Sequence, residues 1–196
     1  LDGRTLYVSD IGAGRTYSYS VHPDGHFGDK CLFCNIGSDG MTLDLQGNLN
    51  SGAGTTQIST AKAETIGLGQ ATGQLTLSGS ELSRIVAAQL ILGDTQTTTL
   101  LVSGVTGFQS RNIDQMSLNA LALFGTVSFQ ASDSTFQSVD VTAAQDVTFD
   151  AGRTLSAVAT TGGISLTAQS GVISAAGDLN LLDVRVLHGD LERRVG

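Results

Sequence analysis

Proline is nearly missing from this 196-residue chain, with Pro23 the only one. Charge is scarce as well: Asp, Glu, Lys and Arg together make up 14% of residues. Long surface helices draw on Glu and Lys, so they are excluded as the main architecture. Only ten residues are Lys or Arg and the net charge is -8. That leaves no phosphate-neutralising patch, so no nucleic-acid partner is expected. Two cysteines are too few for a disulfide scaffold. No apolar run reaches 18 residues, so no membrane span is expected. No charged segment followed by an apolar one opens the chain, so no signal peptide is expected. The first residue is Leu1 rather than Met, and the expectation is a processed, excised or fragmentary chain.

What the chain does hold is Gly, 25 of them, with Thr, Ser, Gln and Asn supplying most of the polarity. This composition suits β-structure with many tight turns. The length allows one or two domains with a sizeable core. The acidic balance also fits weak binding of divalent cations.

The composition changes near residue 50. Both cysteines, the proline and all three tyrosines (Tyr7, Tyr17, Tyr19) come before it. "TLYVSD" and "TYSYSV" alternate in period two and predict half-buried strands, with Leu6 and Val8 facing in. "HPDGHF" is a turn signal. "KCLFCNI" and "GMTLDLQGNLN" predict a third and a fourth strand. Four short antiparallel strands amount to one propeller blade.

The stretches "DGRTLYVSDIGAGRTYSYSVHPDG", "LFC" and above all "GSDGMTLDLQGNL" resemble the SMP-30/gluconolactonase family. The likeness runs over residues 2–49. It implies a six-bladed β-propeller that hydrolyses sugar lactones and related esters with a bound divalent cation, calcium foremost. The family's D-G-M motif places a metal ligand at Asp39. Its Glu and Asn ligands and its catalytic acid have no matching motif here, and a full propeller needs roughly 300 residues at about 40–50 per blade. Asp10, Asn35 and Asp44 are the nearest oxygens in sequence that could complete a cation site around Asp39, since one carboxylate alone binds weakly. The competing reading of Asp39 is a turn residue capping backbone N–H groups. In the lactonase mechanism the cation would polarise the lactone carbonyl and acidify a bound water, and an unidentified acidic residue would take the proton.

The same half raises a zinc alternative, since His22, His26, Cys31 and Cys34 form H-x3-H-x4-C-x2-C. Zinc needs four converging N or S ligands. Leu32-Phe33 is a poor knuckle turn, and cysteines three apart on a strand face opposite sides. An ordinary hairpin is therefore preferred, with Cys34 a small buried apolar group.

After residue 60 apolar pairs recur between small polar turns: Leu75/Leu77, Leu90/Leu92, Leu100/Val102, Met116/Leu118, Val127/Phe129, Val139/Val141, Val147/Phe149, Ile164/Leu166 and Leu179/Leu181. "GTVSFQA", "DVTFDAG", "GGISLTA" and "GDLNLLD" are self-similar and set an irregular repeat on Val127, Val147, Ile164 and Leu179. "SELSRIVA" reads as a brief helical or irregular turn with Leu82 and Ile85 facing in. "IGLGQATGQLTLSGSELSRIVAAQLILGD" and its surroundings resemble the right-handed β-helix repeats of filamentous-haemagglutinin-type secreted adhesins. That likeness implies an extracellular or cell-surface setting and an architecture, not a chemistry.

The expected fold is all-β, a short propeller-blade-like β-meander followed by a right-handed β-solenoid. Residues 1–50 form the meander, 51–59 a joint, 60–187 the solenoid and 188–196 a tail or cap. Open strand edges point to homo-oligomers. Two functions compete: a calcium-dependent hydrolase of small lactones or esters, and a non-catalytic adhesin-type module presenting a polar surface. The hydrolase, whose motif is the more specific, is placed first because the solenoid alone implies no chemistry and could serve as its scaffold. A fusion whose halves have lost their relatives' activities is the third reading.

Overall fold

A computed structural model describes residues 5–10, 15–34, 42–43, 49–159, 162–182 and 191–192. The first residues form an antiparallel meander of β1 (Thr5–Asp10), β2 (Arg15–Val21) and β3 (Phe27–Cys34), in that order. Leu6 lies opposite Tyr19 and Val8 opposite Tyr17. Tyr19 meets Phe27 edge-on at 6.3 Å, and the Lys30 ammonium sits 3.6 Å above the Tyr17 ring. Leu6 and Val8 are not buried as alternation predicts: they remain 36% and 40% exposed. A single sheet layer shields a side chain from its cross-strand neighbours' side only.

The blade's expected fourth strand leaves the meander. β4 (Thr42–Leu43) pairs antiparallel with β5 (Leu49–Ile58), at the edge of a different sheet. This corrects the four-stranded blade. Most of 51–59, expected as a joint, belongs to β5, which pairs in parallel with a strand more than thirty residues on.

From β5 the pairing is parallel, with β4 the antiparallel exception. The chain runs through β6 (Glu64–Gly69), β7 (Leu75–Ser78), α1 (Gly79–Leu82) and β8 (Ile85–Leu92). It continues through β9 (Thr97–Ser103), α2 (Gly107–Ser110), β10 (Ile113–Ala120), β11 (Thr126–Phe129) and β12 (Ser134–Phe136). Then come β13 (Val139–Ala143), β14 (Val147–Phe149), β15 (Arg153–Ala157), β16 (Ile164–Ala168), β17 (Ile173–Ala175), β18 (Leu179–Leu182) and β19 (Leu191–Glu192). One sheet has the order β16-β13-β10-β8-β5-β4, a second β19-β17-β14-β11-β9-β6-β7, and a third β12-β15-β18. The chain thus visits the first sheet, the second and, from β12 onward, the third, and lays each new strand beside its predecessor. From the 188–196 stretch, expected as a tail or cap, β19 joins the edge of β17.

Alternation explains the core. In β13 the buried residues are Val139, Val141 and Ala143, and in β11 they are Val127 and Phe129. Register then aligns these inward residues into columns. Ile58, Leu92, Leu118, Val141 and Leu166 are successive partners in the first sheet. Leu68, Val102, Phe129, Phe149 and Ala175 are successive partners in the second. Phe129 and Phe149 stack with centroids 4.6 Å apart and an interplanar angle of 6°.

These columns correct the repeat expected from sequence. Val127 and Val147 are true partners. Ile164, however, pairs with Val139 in the first sheet, and Leu179 pairs with Arg153 in the third. Self-similar phrases fall on three different sheets because every strand obeys the same inward-outward rule. Equivalent positions are set by pairing, and the interval varies along one column, from 34 residues (Leu68 to Val102) to 20 (Phe129 to Phe149) and back to 26 (Phe149 to Ala175).

Corner chemistry accounts for the longer early intervals. α1 is opened by Ser78 in a capping box with Glu81, and α2 by Thr106 in a capping box with Gln109. Leu82 and Ile85 are buried beside α1, as "SELSRIVA" predicts. Gly79 lies so close to the Gln109 side chain that a Cβ there would overlap it. Ser78 Oγ and N both donate to Glu81 Oε2, at 2.6 and 2.8 Å. The Ser78 hydroxyl bond, then the Ser78 backbone bond, holds the Glu81 carboxyl below its ordinary value of 4.5. A lowered carboxyl contributes stability above its unfolded pKa and loses it as pH falls through the folded value. The wild-type midpoint should therefore fall more between pH 6 and pH 3 than that of Glu81→Gln, which keeps the hydrogen-bonding shape without the charge. Thermal melts of the two proteins at both pH values check this. Equal pH dependence would remove Glu81 from the account.

Candidate functional site

The residues singled out for chemistry do not all fall where the structure describes them. Asn35, Asp39 and Asp44 lie outside the described residues. Asp10 is the exposed last residue of β1, opposite Arg15.

The zinc quartet is spread along a hairpin. His22 and His26 bracket the turn, with His22 N donating to His26 O at 2.9 Å and Gly25 N to His22 O at 2.9 Å. Asp24 Oδ1 accepts from His26 N at 3.1 Å, and Asp24 Oδ2 lies 3.2 Å from His26 Nδ1. Cys31, free and exposed, sits far down the ladder opposite Ser18, and Cys34 lies opposite Thr16. Cys31 is five strand residues from His26, about 17 Å at roughly 3.4 Å per residue. Bonds of about 2.1 Å to nitrogen and about 2.3 Å to sulfur cannot be met across that span. Among the described residues no group of three or more His, Cys, Asp or Glu is placed to hold a metal ion. The His26–Asp24 contact is a solvated turn, with both side chains mostly exposed.

The outward positions of the stacked sheets form a more extensive surface. In the first sheet Asn119, Thr142 and Thr167 are successive partners, as are Ser117, itself buried, Asp140 and Ser165. Ser128, Thr148 and Ser174 form the corresponding row in the second sheet. Neighbours in such a row are about 4.8 Å apart, the interstrand spacing. Side chains bridge from strand to strand. Thr55 Oγ1 donates to Gln89 Oε1 at 3.3 Å, Gln89 Nε2 donates to Ser117 Oγ at 3.1 Å, and Gln115 Nε2 donates to Asp140 Oδ2.

Several turn carboxylates that could pass for ligands or catalytic acids are engaged with backbone. Asp146 Oδ1 accepts from Val172 N, Asp150 Oδ2 from Ala131 N and Asp133 Oδ1 from Thr154 N, each at 2.9 Å. Arg153 donates to the Ala131 and Ala151 carbonyls and lies 3.6 Å from Asp133. Each of the three Asp bonds ties its turn to a segment 19 to 26 residues away. Sequence reading placed small polar turns between the apolar pairs but not this use of their Asp residues. The signal was an Asp recurring beside the apolar pairs, and its partner became visible only once the strands were stacked.

Compared with known proteins, the chain matches no family model, no curated protein and no solved structure. Among the described residues no helix is long and apolar enough to cross a membrane.

Proposed function

We propose that this chain is a non-catalytic β-solenoid module of the filamentous-haemagglutinin adhesin type, right-handed in its winding and displayed outside the cell. Its rows of outward hydroxyl and amide groups would make the contact surface. The observation that carries this reading is the in-register parallel stacking of strands returning in turn to the same sheets. Such stacking builds a surface from repeated Ser, Thr, Asn and Gln side chains at one spacing, suited to many weak polar contacts with an extended polymer. Fixed backbone rows lose little conformational entropy on binding.

Two measurements on the purified chain test the proposal. Beads coated with it should be retained on polysaccharide-coated surfaces more than albumin-coated beads. A panel of small sugar-derived and acyl-homoserine lactones, tried with added calcium, with chelator and with Asp39→Ala, should give no turnover above buffer. Calcium-dependent turnover lost in Asp39→Ala, without bead retention, would replace this reading with the lactone hydrolase implied by "SDGMTLD".

A further inference from the structure

The two long sheets carry unusual strands at their β5 and β6 ends. In the first sheet the β5–β8 ladder is interrupted twice, between Asn50 and Gly52 and between Gly52 and Thr55. Gly52 has φ +56°, and its N–H is held by Asn50 Oδ1 at 2.8 Å. β4 covers only Leu49 and Asn50. Bulges and short covering strands are ways in which a sheet edge is kept from pairing with another chain.

In the second sheet the device is tighter. β7 lies beside β6 and parallel to it, although only residues 70–74 connect them. A parallel pair ordinarily needs a crossover of about a dozen residues or more. The connection is short because it crosses directly over the outer face of β6, backbone against backbone. A Cβ on Gly67 would sit 2.5 Å from Ala71 O and 2.6 Å from Thr72 C. A Cβ on Gly73 would sit 2.6 Å from Thr65 O and 2.7 Å from Gly67 N. Gln74 Oε1 accepts from Thr65 N at 2.9 Å, and Thr76 Oγ1 accepts from Gly73 N at 3.1 Å. β7 is itself only four residues long and runs straight into α1. At the other end the outermost strand of the first sheet is β16, "ISLTA", regular, uncharged and paired in register with β13.

We infer that residues 70–78 are an edge guard: they fold back over β6, occupy its free side, and so keep a second copy of the chain from pairing there. The edge they protect is "ETIGLG", whose Ile66 and Leu68 are fully buried. Once uncovered, its unpaired N–H and C=O groups would template another strand. This inference depends on strand pairing alone and stands whether or not the adhesin reading does.

The test is Gly67→Val, whose side chain cannot coexist with the 71–73 backbone, while β6 keeps its inward residues and its ladder with β9. Light scattering coupled to size exclusion, run across a range of concentrations, should show the variant's average mass rising to at least about twofold that of the wild type, as an exposed edge predicts. Its far-UV circular dichroism should keep the wild-type β signature. A synthetic peptide of residues 74–82, which carries β7 without the crossing 71–73 backbone, should reduce the assembly when added in trans. Thr76→Pro reaches the same end from the other side: Thr76 is exposed, so the substitution weakens β7 without touching the core. If Gly67→Val fails to fold, Thr76→Pro decides. A folded variant with wild-type mass at every concentration would overturn the inference, as would assembly that the peptide leaves unchanged.

Discussion

Phe129→Ala is expected to destabilise the chain by about 3–5 kcal/mol, the range for emptying a large aromatic from a packed core. Phe129 is 3% exposed and lies between Val102 and Phe149 in the second sheet. Parallel ladders hold the strands on both sides at fixed spacing, so neighbours cannot collapse into the space without breaking hydrogen bonds. The ring pair adds about 0.5–1.5 kcal/mol beyond its area. Urea titrations of Phe129→Ala, Phe149→Ala and the double variant separate the two contributions. The double variant should cost less than the sum of the singles, since either one already removes the stack. A single-variant cost under about 1 kcal/mol would mean that this column is not part of the packed core.

Gly93→Ala should cost about as much by a different route. Gly93 follows β8 with φ +88°, a conformation that costs an L-residue roughly 1–2 kcal/mol. Its N–H donates to Ile58 O at 2.8 Å, and a Cβ would overlap the Asn119 carbonyl oxygen and approach Thr97 Oγ1 at 2.9 Å. The residue is thus clamped between the strand before it and the strand after it. Strain and clash together put the expected loss at about 3 kcal/mol or more. Gly152→Ala is the control: φ is +69°, but nothing lies within 4 Å of the added Cβ. Its cost should stay near the strain alone. Equal chemical-denaturation midpoints for the two variants would show that the close approach at Gly93 carries no weight.

Much of this architecture was legible in the sequence. The pairs Leu90/Leu92, Met116/Leu118, Val139/Val141 and Ile164/Leu166 announced strands, and the structure buries each of them. The brief helical turn at "SELSRIVA" was legible as well, but the capping box of Ser78 with Glu81 that opens it was not. Other elements were hidden. β5 reads as a linker because "NSGAGTTQ" has no alternation, and it becomes a strand through its ladder with β8. β12 and β17 each carry one large apolar side chain, Phe136 and Ile173, and so show no apolar pair. Of the candidate site residues, His22, His26 and Cys31 were read as an ordinary hairpin from local spacing, and the register places them too far apart to share one ion.

The sequence by itself determined the β-rich composition, the positions of most strands and which residues of the later strands face inward, though not those of β1. These follow from alternation and turn chemistry, whose range is a few residues. Tertiary structure alone decided which strand lies beside which, that Ile164 answers Val139 rather than Val147, and that β4 leaves the meander for β5. It also decided that Asp133, Asp146 and Asp150 bind neighbouring turns. The physical reason is that, β6 and β7 aside, parallel partners here stand 18 to 36 residues apart. At that range any inward aliphatic satisfies the local pattern, and only the geometry of the intervening corners selects the one that is stacked.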